Sequence, residues 1–209
     1  MGVQTEIAKK LLQIKAIKLS PQKPFTWASG MQSPIYCDNR IALSFPEVRD
    51  FIIDAFVLHS KAYEEATAIA GVATAGIAHG ALLADRLGLP FAYVRSKAKA
   101  HGRQNLIEGQ LAKGAKVLVI EDLISTGGSS LQAVKALRDY GVEVLGTMAI
   151  FTYGFQKAAD AFEQANCPLD TLTNYGVLVE QALRDQYINE SELTLLKKWR
   201  EAPESWRPA

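Results

Sequence analysis

The stretch Val117–Ser130, VLVIEDLISTGGSS, decides the fold. An apolar run leads into Glu121 and Asp122, and a Ser-Thr-Gly-Gly-Ser turn follows. Side chains alternate across a strand, so neighbouring carboxylates point to opposite faces unless the strand stops; the pair is therefore expected at the strand's exit. Carboxylates placed there can hold a metal directly, or accept hydrogen bonds from a vicinal diol such as the 2- and 3-hydroxyls of a ribose. Glycines let backbone N–H groups approach a ligand closely and hydroxyls add donors. The apolar spacing of Leu131, Val134 and Leu137 predicts a helix whose N-terminus favours an anion. Diol and phosphate together describe a ribose 5-phosphate. A lone Thr-Gly-Gly would more often be an ordinary helix start with Ser129 as N-cap, but the whole string is far more specific.

Working outward, the pattern alternates. A helix is expected over Glu47–Ser60, with Phe51, Ala55 and Leu58 facing inward, then a strand in AIAGV around Ile69 and a helix over Ile77–Leu87. FAYV (Phe91–Val94), KVLVI (Lys116–Ile120) and VLGTMAIF (Val144–Phe151) read as strands, with a helix over Ser129–Tyr140 between the last two. Strands separated by helices imply an α/β protein whose parallel sheet is covered on both faces. Ligands of such sheets bind beyond the carboxyl ends of the strands. The loops VATAG, RSKAKAHGRQNLIEG and EDLISTGG are expected at those ends. The outer segments break the alternation and are expected to pack together as a small cap. The expected organisation is one domain over residues 1–209, its core at about 45–155 and its cap from about 1–44 and 156–209.

Composition excludes several classes. The chain has 209 residues and a formal net charge of +1, so it has no field that would gather nucleic acid or an anionic membrane. Its 2 cysteines, Cys37 and Cys167, offer neither metal spacing nor a disulfide framework, which suits a reducing cytoplasm. The N-terminal MGVQTEIAKKLLQIKAI places Ile7, Leu11 and Ile14 on one helical face and does not read as a signal peptide; no apolar run is long enough to span a membrane. His59 and His79 read as surface or packed histidines, Trp199 and Trp206 as packing residues, and the charged C-terminus as a helix end and tail.

The basic segment after Val94 carries Arg95, Lys97, Lys99, His101 and Arg103 without an apolar stripe, and reads as a loop. Cations on such a loop can neutralise a pyrophosphate and exclude water once substrate is bound, and an imidazole can pass a proton near neutrality. The string from Val117 to Ser130 resembles the PRPP-binding signature of type I phosphoribosyltransferases. Lys99-x-His101-Gly102 with Arg95 upstream is similar to the catalytic loop of the orotate phosphoribosyltransferases, and FTWASGMQSPIYCDNR (Phe25–Arg40) resembles their cap.

That resemblance implies the type I fold: a central, mostly parallel sheet flanked by helices, with a hood built from the N- and C-terminal segments. It implies transfer of the phosphoribosyl group of PRPP to N1 of orotate, with Mg²⁺ held mainly by PRPP and no direct protein ligand for it. Glu121 and Asp122 would bind the ribose hydroxyls, Ser125, Thr126, Gly127, Gly128 and Ser129 would cradle the 5-phosphate, and Leu123 and Ile124 would complete the PRPP-binding segment. Val72, Ala73 and Thr74, with Arg95, Lys99 and His101, would bind pyrophosphate; Lys99, His101 and Asp122 would be catalytic. Ser125, Ser29 and Gly30 would meet the orotate. A homodimer sharing the basic loop across subunits is implied, in the cytoplasm.

Some family positions differ here: Ser96 and Ala28 stand where some relatives carry lysine, and IFTYGFQK lacks an arginine that some use. The expectation is that backbone amides at Ser29-Gly30 bind the orotate carboxylate instead. The competing readings are a PRPP-sensing regulator, a transferase for another base, and a metal-dependent phosphatase built on Glu121 and Asp122. The last lacks further ligands at suitable spacing.

Overall fold

The computed structural model of the chain describes residues 2–27, 30–96 and 106–207. In chain order its elements are α1 (Val3–Gln13), β1 (Ile17–Leu19), β2 (Phe25–Thr26), β3 (Gln32–Ser33), β4 (Ile35–Cys37), α2 (Pro46–Ser60), β5 (Ala68–Val72), α3 (Gly76–Leu87) and β6 (Phe91–Val94). They continue with β7 (Ile107–Glu108), β8 (Lys116–Ile124), α4 (Gly128–Tyr140), β9 (Glu143–Thr152), α5 (Gln156–Gln164), β10 (Leu169–Asn174), α6 (Tyr175–Arg184) and α7 (Glu190–Glu201). The chain divides into two compact units, residues 50–172 and residues 1–49 with 173–209.

The unit of residues 50–172 is built on a 6-stranded sheet in the order β10-β9-β8-β5-β6-β7. β5 runs parallel to β6 and β8, and β8 parallel to β9; β7 is antiparallel to β6. The run AIAGV of β5 is buried throughout, as are Val117–Ile120 of β8, because helices cover both faces and leave no side for polar residues. One face is closed by Ala133, Val134 and Leu137 of α4, which share a core with Val117, Val119 and Ala149. On α3 the small residues have a packing reason. A Cβ on Gly71 would lie 2.7 Å from the Gly76 carbonyl, and one on Gly80 would lie 3.3 Å from the Gly71 Cα, so strand and helix backbones touch.

Three features differ from the sequence-based expectation. In α2 the buried stripe is Ile52, Ile53, Ala55 and Phe56, while Leu58 is 50 % exposed; FIIDAFVL carries enough apolar residues to offer more than one stripe. The two-residue β7 was not expected, since so short a strand has no readable alternation; it pairs Tyr93 with Glu108 and Val94 with Ile107. Residues 156–172 also fall with the sheet unit rather than with the terminal segments, because β10 supplies the sheet's edge strand.

In the other unit α1 packs on α6, burying Ile7, Ala8, Leu11 and Leu12 from one side and Tyr175, Leu178 and Ala182 from the other. Short antiparallel pairs, β1 with β4 and β2 with β3, complete it. Trp199 is fully buried on α7, edge-on to Trp27 at 5.8 Å, and the Trp27 Nε1–H donates to the Ile35 carbonyl at 3.0 Å. Asn189 caps α7 in a reciprocal capping box with Glu192. Beyond that helix Trp206 is only 9 % exposed, so the expected tail is anchored by its aromatic residue.

Candidate active site

The carboxyl ends of β5, β6 and β8 lie side by side, and each exits into one of the three expected loops. The loop after β8 is the best defined. The strand does not end at the acidic pair: it continues to Ile124, with Glu121 opposite Ala149 and Leu123 opposite Phe151 on β9. Pairing with a longer β9 extends β8 beyond its partner β5, whose register stops at Gly71–Ile120. The two carboxylates therefore keep strand alternation, Glu121 being buried at 5 % exposure and Asp122 half-exposed.

Glu121 is hydrogen-bonded inside the fold. Its Oε1 accepts from the Asp122 backbone N–H at 3.1 Å and its Oε2 from the Ser130 hydroxyl at 3.1 Å. Burial, reinforced by the neighbouring Asp122 charge, pushes its carboxyl up to about 8. The pair thus joins a buried carboxyl to a half-exposed one, and the two side chains share a hydrogen bond.

Helix α4 begins at Gly128, one residue before the expected start at Ser129. Gly127 sits at φ 81°, in the left-handed region, and a Cβ there would lie 2.7 Å from the Phe162 ring. The N-cap Gly127 has no side chain to cap this N-terminus, so the first-turn amides of Gly128, Ser129 and Ser130 are presented to the loop together with the positive end of the helix. Ser125 is half-buried, while Thr126, Gly128 and Ser129 are exposed. The base of the loop is tied to β9, where the Tyr153 N–H and the Thr152 hydroxyl both donate to the Ile124 carbonyl at 3.2 Å. These groups match the chemistry of a phosphate monoester.

After β5, the Ala73 amide donates to the Val94 carbonyl at 2.8 Å and the Ala73–Thr74 peptide is cis. At the end of this loop a Cβ on Gly76 would come within 2.4 Å of the Ile120 carbonyl and 3.2 Å of the Glu121 Cα, so the VATAG backbone abuts the strand that carries the acidic pair. After β6, the Arg95 N–H donates to the Leu106 carbonyl at 2.8 Å, and Arg95 Nη1 lies 3.4 Å from Glu108 Oε1. The basic segment is thus the connection of a β6–β7 hairpin. Lys99 and His101 lie outside the described residues, as does Ser29.

Gly30 is exposed at φ 83°, but its N–H donates to the Trp27 carbonyl at 2.8 Å, closing a turn in which the Trp27 N–H also donates to Met31. That amide is committed, which removes it from the set expected to hold a carboxylate. His59 pairs through Nδ1 with Asp170 at 2.8 Å and His79 is buried, so both serve the sheet unit's structure. Among the described residues no group of three or more His, Cys, Asp or Glu could hold a metal ion. No described helix is long and apolar enough to cross a membrane. Sequence reasoning missed Ser130 and Glu108: the first is one position beyond a recognisable motif, and the second becomes visible only when β7 brings it beside Arg95.

A family model for the phosphoribosyl transferase domain matches residues 47–182. The chain is 55 % identical over 201 residues to an orotate phosphoribosyltransferase of Porphyromonas gingivalis, covering 96 % of each chain. It is 54 % identical over 207 residues to that of Listeria innocua, covering 99 % of each. Among solved structures, the orotate phosphoribosyltransferase from Aeropyrum pernix superposes with a TM-score of 0.76 at 28 % identity, over 84 % of this chain and 97 % of the other.

Proposed function

The chain belongs to the phosphoribosyl transferase family and, within it, to the orotate phosphoribosyltransferases, and from that premise we propose how its residues carry the reaction. The enzyme transfers the 5-phosphoribosyl group of PRPP to N1 of orotate, giving orotidine 5-monophosphate and pyrophosphate on the route to UMP. The observation that supports the reading best is the uncapped start of α4, directly after the acidic pair and beside the β5 and β6 exits.

In this reading the amides at the start of α4 and the hydroxyls of Ser125, Thr126 and Ser129 hold the 5-phosphate. Asp122 and, beside it, Glu121 accept from the ribose hydroxyls. Val72, Ala73 and Thr74 line the pyrophosphate side, where Arg95, Lys99 and His101 neutralise charge. Orotate N1 attacks C1 and gives up its proton, the C1–O bond to pyrophosphate breaks, and the bonding pair leaves with pyrophosphate, which takes up the charge. A developing oxocarbenium is stabilised by positioning and by fixed charge, so no covalent nucleophile is needed. Ser125 and the Ser29-Gly30 turn shape the orotate side.

Mg²⁺ fits this site as an ion carried in by substrate: a half-exposed carboxylate, Asp122, with no cage of three or more His, Cys, Asp or Glu among the described residues, suits a metal that keeps phosphate oxygens and waters. When bound it supplies charge neutralisation on the pyrophosphate. The reading further has two copies of the chain share the basic loop, in the cytoplasm. The test is loss of orotate absorbance on adding PRPP and Mg²⁺, with uracil, hypoxanthine and adenine in parallel. Consumption of orotate alone is expected; consumption of a purine instead, or of no base while PRPP binds, would overturn the assignment.

A further inference from the structure

We propose that Thr152 and Phe162 hold the loop after β8 at its two ends and act as positioning residues for the 5-phosphate of PRPP; this rests on the reading of Ser125–Ser129 as the phosphate cradle. The entry end is Ile124, the last residue of β8, which stands opposite Thr152 on β9. The Thr152 hydroxyl donates to the Ile124 carbonyl at 3.2 Å and accepts the Gly154 N–H at 3.0 Å, so its rotor has one setting. The Tyr153 N–H donates to the same carbonyl at 3.2 Å, which gives that oxygen two donors. The exit end is Gly127, held at φ 81° against the Phe162 ring of α5: a Cβ there would lie 2.7 Å from one ring carbon and 3.2 Å from the next. Phe162 is only 3 % exposed. Its helix is locked to α4 in turn, because the Arg138 guanidinium donates to the Ala165 carbonyl at 2.7 Å and to the Asn166 carbonyl at 2.9 Å.

Between these ends lie Ser125 and Thr126, and beyond them the uncapped amides of α4. A short glycine-containing loop has many conformations open to it, and amides aimed at a phosphate are most effective where their direction is set before the ligand arrives. Phe162 has no polar atom to offer and the Thr152 hydroxyl is bonded on both sides, so each acts on the phosphate through the loop. In the proposed reading the pyrophosphate side rests on other segments, Val72, Ala73 and Thr74 after β5 and Arg95 after β6. A loss confined to the 5-phosphate is therefore the signature of this positioning.

The experiment is calorimetric titration of ribose 5-phosphate, and separately of pyrophosphate with Mg²⁺, into the wild-type protein, Thr152→Val, Phe162→Leu and Val134→Ala, with a melting temperature for each. Val134, 1 % exposed on α4, shares a core with Phe162 and controls for lost packing alone. Thr152→Val and Phe162→Leu should each weaken ribose 5-phosphate by roughly three- to tenfold while pyrophosphate binds as it does to the wild type. Val134→Ala should lower the melting temperature and leave both affinities unchanged. In turnover, the KM for PRPP rises in the first two variants while the KM for orotate stays put. Wild-type affinity for ribose 5-phosphate in Thr152→Val or Phe162→Leu overturns the proposal and leaves the cradle standing. An equal loss in Val134→Ala, or one that extends equally to pyrophosphate, also overturns it, since the effect is then one of general packing. Should Phe162→Leu not fold, Thr152→Val decides alone, because it deletes one hydroxyl. If the wild-type protein binds neither ribose 5-phosphate nor PRPP, the cradle itself is refuted, and the positioning with it.

Discussion

At the scale of single residues, Glu121 and Asp122 show how position within a strand gives two neighbouring carboxyls unequal burial. Burial and the Asp122 charge raise the folded-state pKa of Glu121 to about 8 from the ordinary 4.5. Between those values the native state holds a proton that the unfolded chain has lost, so rising pH destabilises the fold across that window, and the full penalty is present above it. Glu121→Gln keeps the shape, can still accept from the Asp122 N–H, and can donate to the Ser130 oxygen. The variant should therefore match the wild type near pH 4 and exceed it at pH 8, by on the order of a few kcal/mol. Denaturant melts at the two pH values measure this, and a constant difference would show that the carboxyl is not protonated in the fold. Asp122, half-exposed, carries the opposite expectation: Asp122→Asn should leave the melting temperature nearly unchanged while weakening PRPP by about tenfold or more. Wild-type PRPP affinity in that variant, measured by calorimetry, would remove Asp122 from the sugar.

At the scale of elements, the glycine pair of the loop separates backbone need from ligand need. Gly127 has φ 81° and a Phe162 ring carbon 2.7 Å from where a Cβ would stand, whereas a Cβ on Gly128 would meet nothing within 4 Å. Gly127→Ala should cost about 1–3 kcal/mol in a thermal or denaturant melt, and Gly128→Ala should be neutral or slightly stabilising at the first position of α4. Equal costs at the two positions would contradict this geometry. The strands and helices of residues 46–152 were legible because buried parallel strands and amphipathic helices write different periods. The limit of β8 was not, since whether EDLI continues a strand depends on β9 running alongside it to Thr152. Motif chemistry singled out the loop after β8 as the proposed phosphate cradle. It did not reveal that Glu121 turns inward, because that depends on Ser130 and Gly76 arriving from two other elements. The Gly30 amide escaped for a similar reason: its acceptor is the Trp27 carbonyl, which a turn of unknown type does not disclose.

At the scale of the whole molecule, the question is whether one chain holds a complete site. Arg95 stands at the root of the β6–β7 hairpin, and its guanidinium lies 3.4 Å from Glu108, a carboxylate that pyrophosphate oxygens would have to replace as its partner. The loop beyond it carries Lys99 and His101, and under the proposed homodimer those side chains serve the partner's Asp122. Mixed subunits test this. Lys99→Ala and Asp122→Asn should each be nearly inactive as homodimers, since one lacks charge for the leaving group and the other its hold on the ribose. When equal amounts are unfolded and refolded together, half the dimers are mixed. If the loop crosses, each mixed dimer has one site with both defects and one with neither, so the mixture recovers about a quarter of wild-type turnover. If each loop closes over its own chain, every site carries one defect and nothing is recovered. Sedimentation of the same mixture confirms that dimers have re-formed, so an inactive dimeric mixture would place Lys99 and Asp122 in one subunit's site.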